Sequence, residues 1–220
     1  MRFAIALASV LLAASARKPA NTVATFLNDP FGNANAFVSP DGKHALWGDY
    51  ENSELEIEDS AAHAKRPVAG VTVQTLSLAW SPDSRYFAVN DRPASDIEDA
   101  YLFNTDTLER TKLRDSLTAA RPQVIRYYLH DDNGPFLTHG RNVLHSYLHV
   151  LRWLDGEHVE LQLHGSTGGR FAHDNPDGHL YPAECFDLRY RVGLDGSVQK
   201  ISGRVFSETS TPNEDACGWG

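Results

Sequence analysis

The sequence has no apolar run long enough to anchor the chain in a membrane. Its N-terminal apolar run, residues 3–12, has only about half of the ~20 residues that a helix needs to cross the hydrocarbon core. Arg2 precedes this run, and Ala14 and Ala16 follow it in the small-x-small pattern of a signal peptidase site. We therefore expect a cleaved signal peptide at residues 1–16 and a single domain at residues 17–220, located in the periplasm or secreted.

Cysteine is scarce, and its spacing excludes several kinds of chemistry. Cys185 and Cys217 are the only cysteines, and no Cys-x-x-Cys spacing occurs. A dithiol redox site and a cysteine-rich zinc site are therefore not expected. An even number of cysteines in an exported domain usually forms a bridge, so we predict a disulfide between Cys185 and Cys217. Closing this loop of about 33 residues would stabilise the fold by about 3–4 kcal/mol.

The sequence also lacks the motif of a serine hydrolase. Ser166 lies in the glycine cluster HGSTGG, but the glycine that GxSxG requires two residues before the serine is absent. Glu54, Glu56 and Glu58 alternate along a predicted strand, which is typical of a solvated edge and not of an acid–base pair. We therefore expect that the protein is not an enzyme.

The chain has fewer basic than acidic residues. The chain has 20 lysines and arginines against 29 acidic residues, a net charge of −9, and removal of Arg2 with the signal peptide makes it one unit more negative. Such a surface repels nucleic acid and anionic lipid and attracts basic partners. The alternative is that the acidic excess only keeps an exported protein soluble.

What the sequence does contain is a repeated turn motif. SPDG at 39–42 and SPDS at 81–84 lie 42 residues apart, and each leads into an apolar-rich segment, HALW or YFAV. A weaker third copy, VLRWLDGEHVELQLHG, turns at Asp155 and Gly156, and its apolar and polar residues alternate strictly from 158 to 164. That alternation predicts a half-buried strand. A period of about 40–45 residues with strand–turn–strand content is the spacing of a propeller blade.

Further patterns favour an all-β domain. LFNTDTLERTKL and YRVGLDGSVQKIS predict hairpins that turn at 104–107 and at Asp195 and Gly196. No segment after the signal peptide keeps an apolar stripe at helical period over three turns, although HSYLHVLRW fits either a short helix or a strand buried on both faces. Trp47 and Trp80 belong to the repeat and are expected in the core.

These motifs resemble the WD-like repeats of TolB-type β-propellers. In that family, Ser-Pro-Asp-Gly links the two innermost strands of a blade, and the last strands carry an Asp/Thr-rich turn like that of LFNTDTLERTKL. The likeness covers residues 35–113 well and 147–205 loosely, but not 114–146. Closed propellers use about four to eight blades, and only three copies are recognisable. We therefore expect an incomplete or small β-propeller-like arrangement of antiparallel sheets, with a degenerate fourth blade at 121–140 as the alternative.

Histidines are concentrated in one region, which suggests a metal site. Eight of the ten lie between residues 130 and 179. On a strand that rises ~3.3 Å per residue, His145 and His149 would stand about 13 Å apart, too far to share one zinc ion. Only a helix over 143–154 would bring this pair together. Solvated histidines are the simpler interpretation.

The segment HDNPDGHLYPAE, residues 173–184, is the better candidate for an ion site. It places oxygen-bearing residues at positions 3, 5 and 12 of an EF-hand-like pattern and a glycine at position 6. Position 1 is His173, so Asp174 would have to supply a ligand after a one-residue shift. A plain polar turn is the alternative. The candidate calcium ligands are Asp174, Asn175, Asp177 and Glu184.

Two classes of function fit these patterns. The first is an exported binding or inhibitor protein for a basic partner protein, similar in type to periplasmic immunity proteins that neutralise cell-wall-degrading toxins. Its contact would be the long segment 126–142, an insertion of the kind that often carries function. The second class is a calcium- or metal-dependent module or enzyme that uses the histidine-rich region and residues 173–184. The contact residues predicted for the first class are Asp131, Asp132, Asn133 and Phe136.

Overall fold

The computed structural model describes residues 36–49, 54–71, 76–94, 97–122, 124, 143–167 and 184–207. These residues form twelve β-strands and one α-helix. The predicted signal peptide, the 126–142 segment and most of the 173–184 segment lie outside them.

The strands form three four-stranded antiparallel meanders in chain order. The first meander contains β1 (Phe37–Val38), β2 (His44–Asp49), β3 (Glu54–Asp59) and β4 (Ala64–Val68). The second contains β5 (Leu76–Trp80), β6 (Tyr86–Ala94), β7 (Ile97–Asn104) and β8 (Arg110–Lys112), and the helix α1 (Leu113–Ala120) follows it. The third contains β9 (Val143–Trp153), β10 (His158–Thr167), β11 (Glu184–Gly193) and β12 (Val198–Ser207).

A short parallel ladder joins the second and third meanders. Ile97 and Glu98 of β7 pair with Ser146 and Tyr147 of β9, which makes one eight-stranded sheet beside the four-stranded sheet of the first meander. The fold is therefore all-β, with two sheets and one helix in the described residues. Those residues do not close into a propeller or a barrel.

The meanders stack face to face, with the second in the middle. Leu46 and Ile57 of the first meander share a buried cluster with Phe87 and Phe103 of the second. The opposite face of the second meander packs on the third and on α1, in a cluster that includes Leu102, Leu113, Leu161 and Phe186. This two-sided burial explains why β5, with the sequence LSLAW, is buried at every position.

The six hairpin turns that the structure describes lie at one end of the stack. Because β7 and β9 run parallel, the turns that follow them point the same way. The backbone N–H of Asp41 donates to Ser84 Oγ at 3.1 Å, which places the first meander's turn beside the second's. We call this end the turn end, defined by residues 39–43, 59–63, 81–85, 104–109, 154–157 and 194–197.

The predicted repeat is reproduced bond for bond in the first two meanders. In SPDG and in SPDS the serine hydroxyl donates to the aspartate Oδ1 at 2.7 Å. The same hydroxyl accepts the backbone N–H of the fifth residue after the serine, His44 or Tyr86, at 3.0 Å. The residues after the two aspartates, Gly42 and Ser84, have left-handed backbone with φ of 73° and 61°. Glycine adopts this conformation without strain, whereas Ser84 is held in it by its turn.

The repeat extends to a second pair of turns, of which the sequence predicts only the one at 104–107. Asp59 Oδ1 accepts two backbone N–H groups of the β3–β4 turn, and Asn104 Oδ1 accepts the two equivalent groups of the β7–β8 turn. His63 and Leu108 then take equivalent left-handed positions. The two turns have different residue types at equivalent positions, Asp59 or Asn104 and His63 or Leu108. The turn needs only a side-chain oxygen acceptor at the first of these positions.

Two assignments of secondary structure are now decided. HSYLHVLRW lies in strand β9, not in a helix. The helix α1 was not predicted, because no segment after the signal peptide keeps an apolar stripe at helical period over three turns. It has eight residues and buries Leu113 and Leu117, one turn apart. A helix of about two turns is too short to show a three-turn apolar stripe.

The two tryptophans of the repeat have different environments. Trp80 is 8% exposed and donates from Nε1 to the Phe37 carbonyl at 3.0 Å. Trp47 is only half-buried, on the outer face of the first meander, with Lys65 Nζ 5.0 Å from its ring centroid. Trp47 directly follows Leu46 on β2, and successive side chains of a strand point to opposite faces, so the core assignment of Trp47 is wrong.

The carboxylates of β3 lie on a solvated face, but β3 is not an edge strand. It pairs with β2 on one side and with β4 on the other. Glu56 pairs with Lys65, and Glu58 lies 3.1 Å from the ring of His63. These residues therefore form part of a polar outer surface on an interior strand.

Candidate functional site

The turn end carries most of the excess negative charge of the chain. Its six turns contain eight carboxylates but only two cationic side chains, Lys43 and Arg85. The difference of six compares with a net charge of −9 for the whole chain. The carboxylates belong to Asp41, Asp59, Asp83, Asp106, Glu109, Asp155, Glu157 and Asp195.

Direct contacts link turns of all three meanders into one surface. A Cβ atom added at Gly156 would lie 2.9 Å from Asp83 Oδ2, so the β9–β10 turn touches the β5–β6 turn. The backbone N–H of Leu194 donates to the Glu157 carbonyl at 2.9 Å, which attaches the β11–β12 turn. Together with the hydrogen bond from the Asp41 N–H to Ser84 Oγ, these contacts connect turns of all three meanders.

The turn geometry keeps the aspartates ionised. Burial raises the pKa of Asp41, Asp83 and Asp155, but hydrogen bonds and neighbouring cationic groups outweigh it and hold each pKa below its ordinary value. At Asp59 and Asp195, hydrogen bonds from the turn residues that follow lower the pKa in the same direction. Hydrogen bonds to the ionised form stabilise it, so these carboxylates stay charged in mildly acidic solution.

Some turn-end carboxylates are paired within the chain and others face solvent. Arg85 Nε lies 2.6 Å from Asp83 Oδ2, and Arg191 lies 3.2 Å from Asp155 Oδ2. Asp106, Glu109 and Glu157 are exposed, and their side chains form no ion pair within the described ranges. These three are the carboxylates best placed to meet an incoming cationic surface.

The third meander has a second polar surface on the face opposite its core. Glu160 accepts from Arg152 Nε at 2.7 Å and lies 3.4 Å from Arg189, while Gln162 donates to Asp187 at 2.9 Å. Glu160 is 5% exposed, although its alternation with apolar neighbours predicts a half-buried strand with its polar face in solvent. Glu160 is buried because arginines from β9 and β11 cover it, and this burial cannot be predicted from the sequence of β10 alone.

A buried polar group connects the second and third meanders. His149 is 3% exposed, and its Nδ1 lies 2.9 Å from Glu98 Oε1. The Asn90 side chain accepts from the Val150 N–H at 2.7 Å and donates to the Val150 carbonyl at 3.0 Å, so it pairs with β9 as a strand would. His164 is largely buried, and burial lowers its pKa to about 4, which keeps it neutral near pH 7.

The structure describes few of the sequence-predicted site residues. Cys185 is fully buried in β11 and disulfide-bonded. Its pairing with Cys217 stays a prediction, because Cys217 lies outside the described residues. Glu184 is the first residue of β11, and its backbone pairs with Thr167 and Ser207. The other candidates also lie outside: Asp131, Asp132, Asn133, Phe136, Asp174, Asn175 and Asp177.

The histidine-rich region gives no metal site in the part of the chain that the structure describes. No group of three or more His, Cys, Asp or Glu residues there is arranged to hold a metal ion. His145 and His149 both lie on the extended strand β9, so the helical geometry that would bring them together does not occur. In the same described part, no helix has the length and apolarity to span a bilayer.

Comparison with known proteins gives only weak structural similarities. No family model and no curated protein sequence matches the chain. A putative TolB from Agrobacterium tumefaciens is 17% identical with a TM-score of 0.32, covering 76% of this chain and 60% of that one. TolB from Acinetobacter baumannii is 14% identical with a TM-score of 0.23, covering 76% of this chain and 40% of that one.

The structure of a peptidase is also only weakly similar to this chain. Acylaminoacyl peptidase from Pyrococcus horikoshii is 10% identical with a TM-score of 0.34, covering 76% of this chain and 23% of the peptidase. The chain thus spans less than two thirds of the length of each of these three proteins. At these values the similarity to TolB-type propellers is weak, and it assigns neither a family nor an activity to the chain.

Proposed function

We propose that the protein is an exported, non-catalytic binding protein whose turn end docks on a basic partner protein. In this proposal the three meanders are propeller-like blades in an open stack that serves as a rigid support. Export follows from the predicted signal peptide. An inhibitor or immunity protein that neutralises a basic cell-wall-degrading toxin is the form of the proposal that best fits an exported acidic chain.

The concentration of charge at the turn end is the observation that carries this proposal. Six of the nine excess negative charges lie in turns that contact one another. Hydrogen bonds fix several of these carboxylates before any partner arrives, so little side-chain entropy is lost on binding. A field of one sign over a rigid surface also speeds encounter with an oppositely charged protein.

Charge reversal at exposed turn-end residues tests the proposal. Asp106→Lys and Glu157→Lys change side chains that form no described ion pair, so both variants should fold. Asp115 is exposed on helix α1, away from the turn end, so Asp115→Lys is the matched control. The probe is a panel of purified basic cell-wall hydrolases, with binding measured by biolayer interferometry at low and at physiological salt.

We expect each turn-end variant to slow association with a bound hydrolase by roughly tenfold at low salt, because steering by charge acts mainly on the association rate. Asp115→Lys should bind like the wild type. Equal rates for the turn-end variants and the wild type would show that the turn end is not the contact surface, and the predicted loop with Asp131, Asp132, Asn133 and Phe136 would take its place.

The alternative proposal, a calcium-dependent module, is supported only by the sequence of residues 173–184. Melting temperatures with calcium and with EDTA separate the two functions. An increase of several degrees with calcium that Asp177→Asn abolishes would favour the calcium module. Equal melting temperatures would favour the binding protein.

A further inference from the structure

The stack of meanders ends in two polar sheet faces of opposite charge. On the first meander, Trp47 pairs with Glu56 and Glu58 pairs with Lys65, so these side chains share the face that points away from the second meander. This face has three carboxylates and one ammonium group, and Val38 on it is 54% exposed. We call it the acidic outer face, defined by Val38, Trp47, Glu54, Glu56, Glu58 and Lys65.

The corresponding face of the third meander presents arginines to solvent. The side chains of Arg152 and Arg191 are 51% and 42% exposed. Those of Glu160, which pairs with Arg152, and Asp187, which pairs with Arg189 and Arg204, are only 6% and 12% exposed. Carboxylates are thus covered and guanidinium groups are outermost. We call it the arginine outer face, defined by Arg152, Glu160, Gln162, Asp187, Arg189, Arg191 and Arg204.

We propose that the arginine outer face of one copy stacks on the acidic outer face of a second copy. Inside the chain, meander stacks on meander twice, and the second meander is covered on both faces. The two outer faces are sheets of the same strand number with complementary charge, so a copy of the same chain offers the matching surface in the same orientation. Guanidinium groups are suited to this contact because they form bidentate bonds with carboxylates.

Two copies suffice to make this contact twice. Each copy offers one face of each kind, so a two-fold arrangement pairs the arginine outer face of each copy with the acidic outer face of the other. The ring would contain six meanders, within the range of about four to eight that closed propellers use. Both turn ends would lie on the same side of the ring, which would double the acidic surface available to a partner.

The mass of the purified protein in solution tests this arrangement. Analytical ultracentrifugation over a range of concentrations should give a reversible monomer–dimer equilibrium that weakens as salt is added, since exposed charge pairs are screened. Glu54→Lys reverses an exposed charge on the acidic outer face. Arg191→Glu does so on the arginine outer face, and its partners Asp155 and His158 are not fully buried. Asp115→Lys is the control for charge alone.

Mixing the two variants gives the decisive result. Alone, each should dimerise at least tenfold more weakly than the wild type, because both contacts then bring like charges together. An equimolar mixture should regain near wild-type association, since one contact of the mixed dimer is unchanged and the other has its charges exchanged. Circular dichroism melting verifies that the variants are folded.

Several results would overturn the proposal. These are a monomer at every concentration, a dimer that neither substitution weakens, and a mixture that does not recover association. Growth beyond the dimer would contradict ring closure, because it would mean that the head-to-tail contact leaves open ends. None of these measurements involves a partner protein, so their outcome is independent of the function proposed above.

Discussion

At five turns, an aspartate oxygen accepts the backbone N–H two residues further along the chain. The bond lengths are 3.1, 2.9, 3.2, 2.8 and 2.9 Å for Asp41, Asp59, Asp83, Asp155 and Asp195. The interaction is local, which is why SPDG, SPDS and the two Asp-Gly pairs predict their turns from sequence. The same bonds favour the ionised carboxylate and so connect turn geometry to the charge of the turn end.

The lowered pKa of Asp83 predicts a loss of stability in acid. A folded pKa below the unfolded value of ~3.9 contributes stability that is present above this value and is lost as the pH falls through the folded pKa. The contribution of Asp83 to the free energy of unfolding, measured in urea as the difference between the wild type and Asp83→Asn, should therefore be nearly constant between about pH 7 and about pH 5 and decrease below about pH 4. Asp83→Asn should lower stability at neutral pH by about 1 kcal/mol and flatten this dependence. An unchanged acid loss in the variant would contradict the assignment.

The tryptophan pair provides a second test at the scale of the residue. Trp80→Ala removes a buried ring and its hydrogen bond to Phe37, so it should cost about 3–5 kcal/mol in unfolding free energy. Trp47→Ala removes a half-buried ring on the outer face and should cost about 1–2 kcal/mol. Urea denaturation followed by circular dichroism measures both, and equal costs would show that the environments of Trp80 on β5 and Trp47 on β2 do not differ as described.

At the scale of the element, contacts distant in sequence decide what the local pattern leaves open. Alternation predicts β10 as a strand with one polar face, but Glu160 is buried because Arg152 and Arg189 reach it from neighbouring strands. The helix α1 is stabilised by the core contacts of Leu113 and Leu117 and not by a long apolar stripe. The strands and turns could thus be predicted from sequence, whereas the polar outer faces and the common turn end follow from tertiary packing.

Asn90 joins β6 to β9, and its replacement measures how strongly the second and third meanders are connected. Asn90→Ala leaves the N–H and carbonyl of Val150 without these bonds in a buried position, which should cost about 2–4 kcal/mol. Ser77→Ala, which removes only the hydroxyl that accepts from Asn90, should cost about 1 kcal/mol and serves as the control. Chemical denaturation compares the two, and a cost for Asn90→Ala no greater than the control would contradict this role.

For the whole molecule, the predicted disulfide connects the end of the chain to the third meander. Cys185→Ser with Cys217→Ser should lower the free energy of unfolding by about 3–4 kcal/mol, because the unfolded chain loses a constraint. Intact-mass measurement after alkylation of the unreduced, unfolded protein should show no modified thiol. Two alkylated cysteines would contradict the pairing.

Localisation of the contact surface is the most direct test of the central claim, that a basic partner docks on the turn end. Hydrogen–deuterium exchange is measured with and without a hydrolase from the panel that binds the protein. We expect slower exchange in the segments 81–85, 104–109 and 154–157, and unchanged exchange in α1. Protection confined to other segments, with these turns unchanged, would contradict the claim.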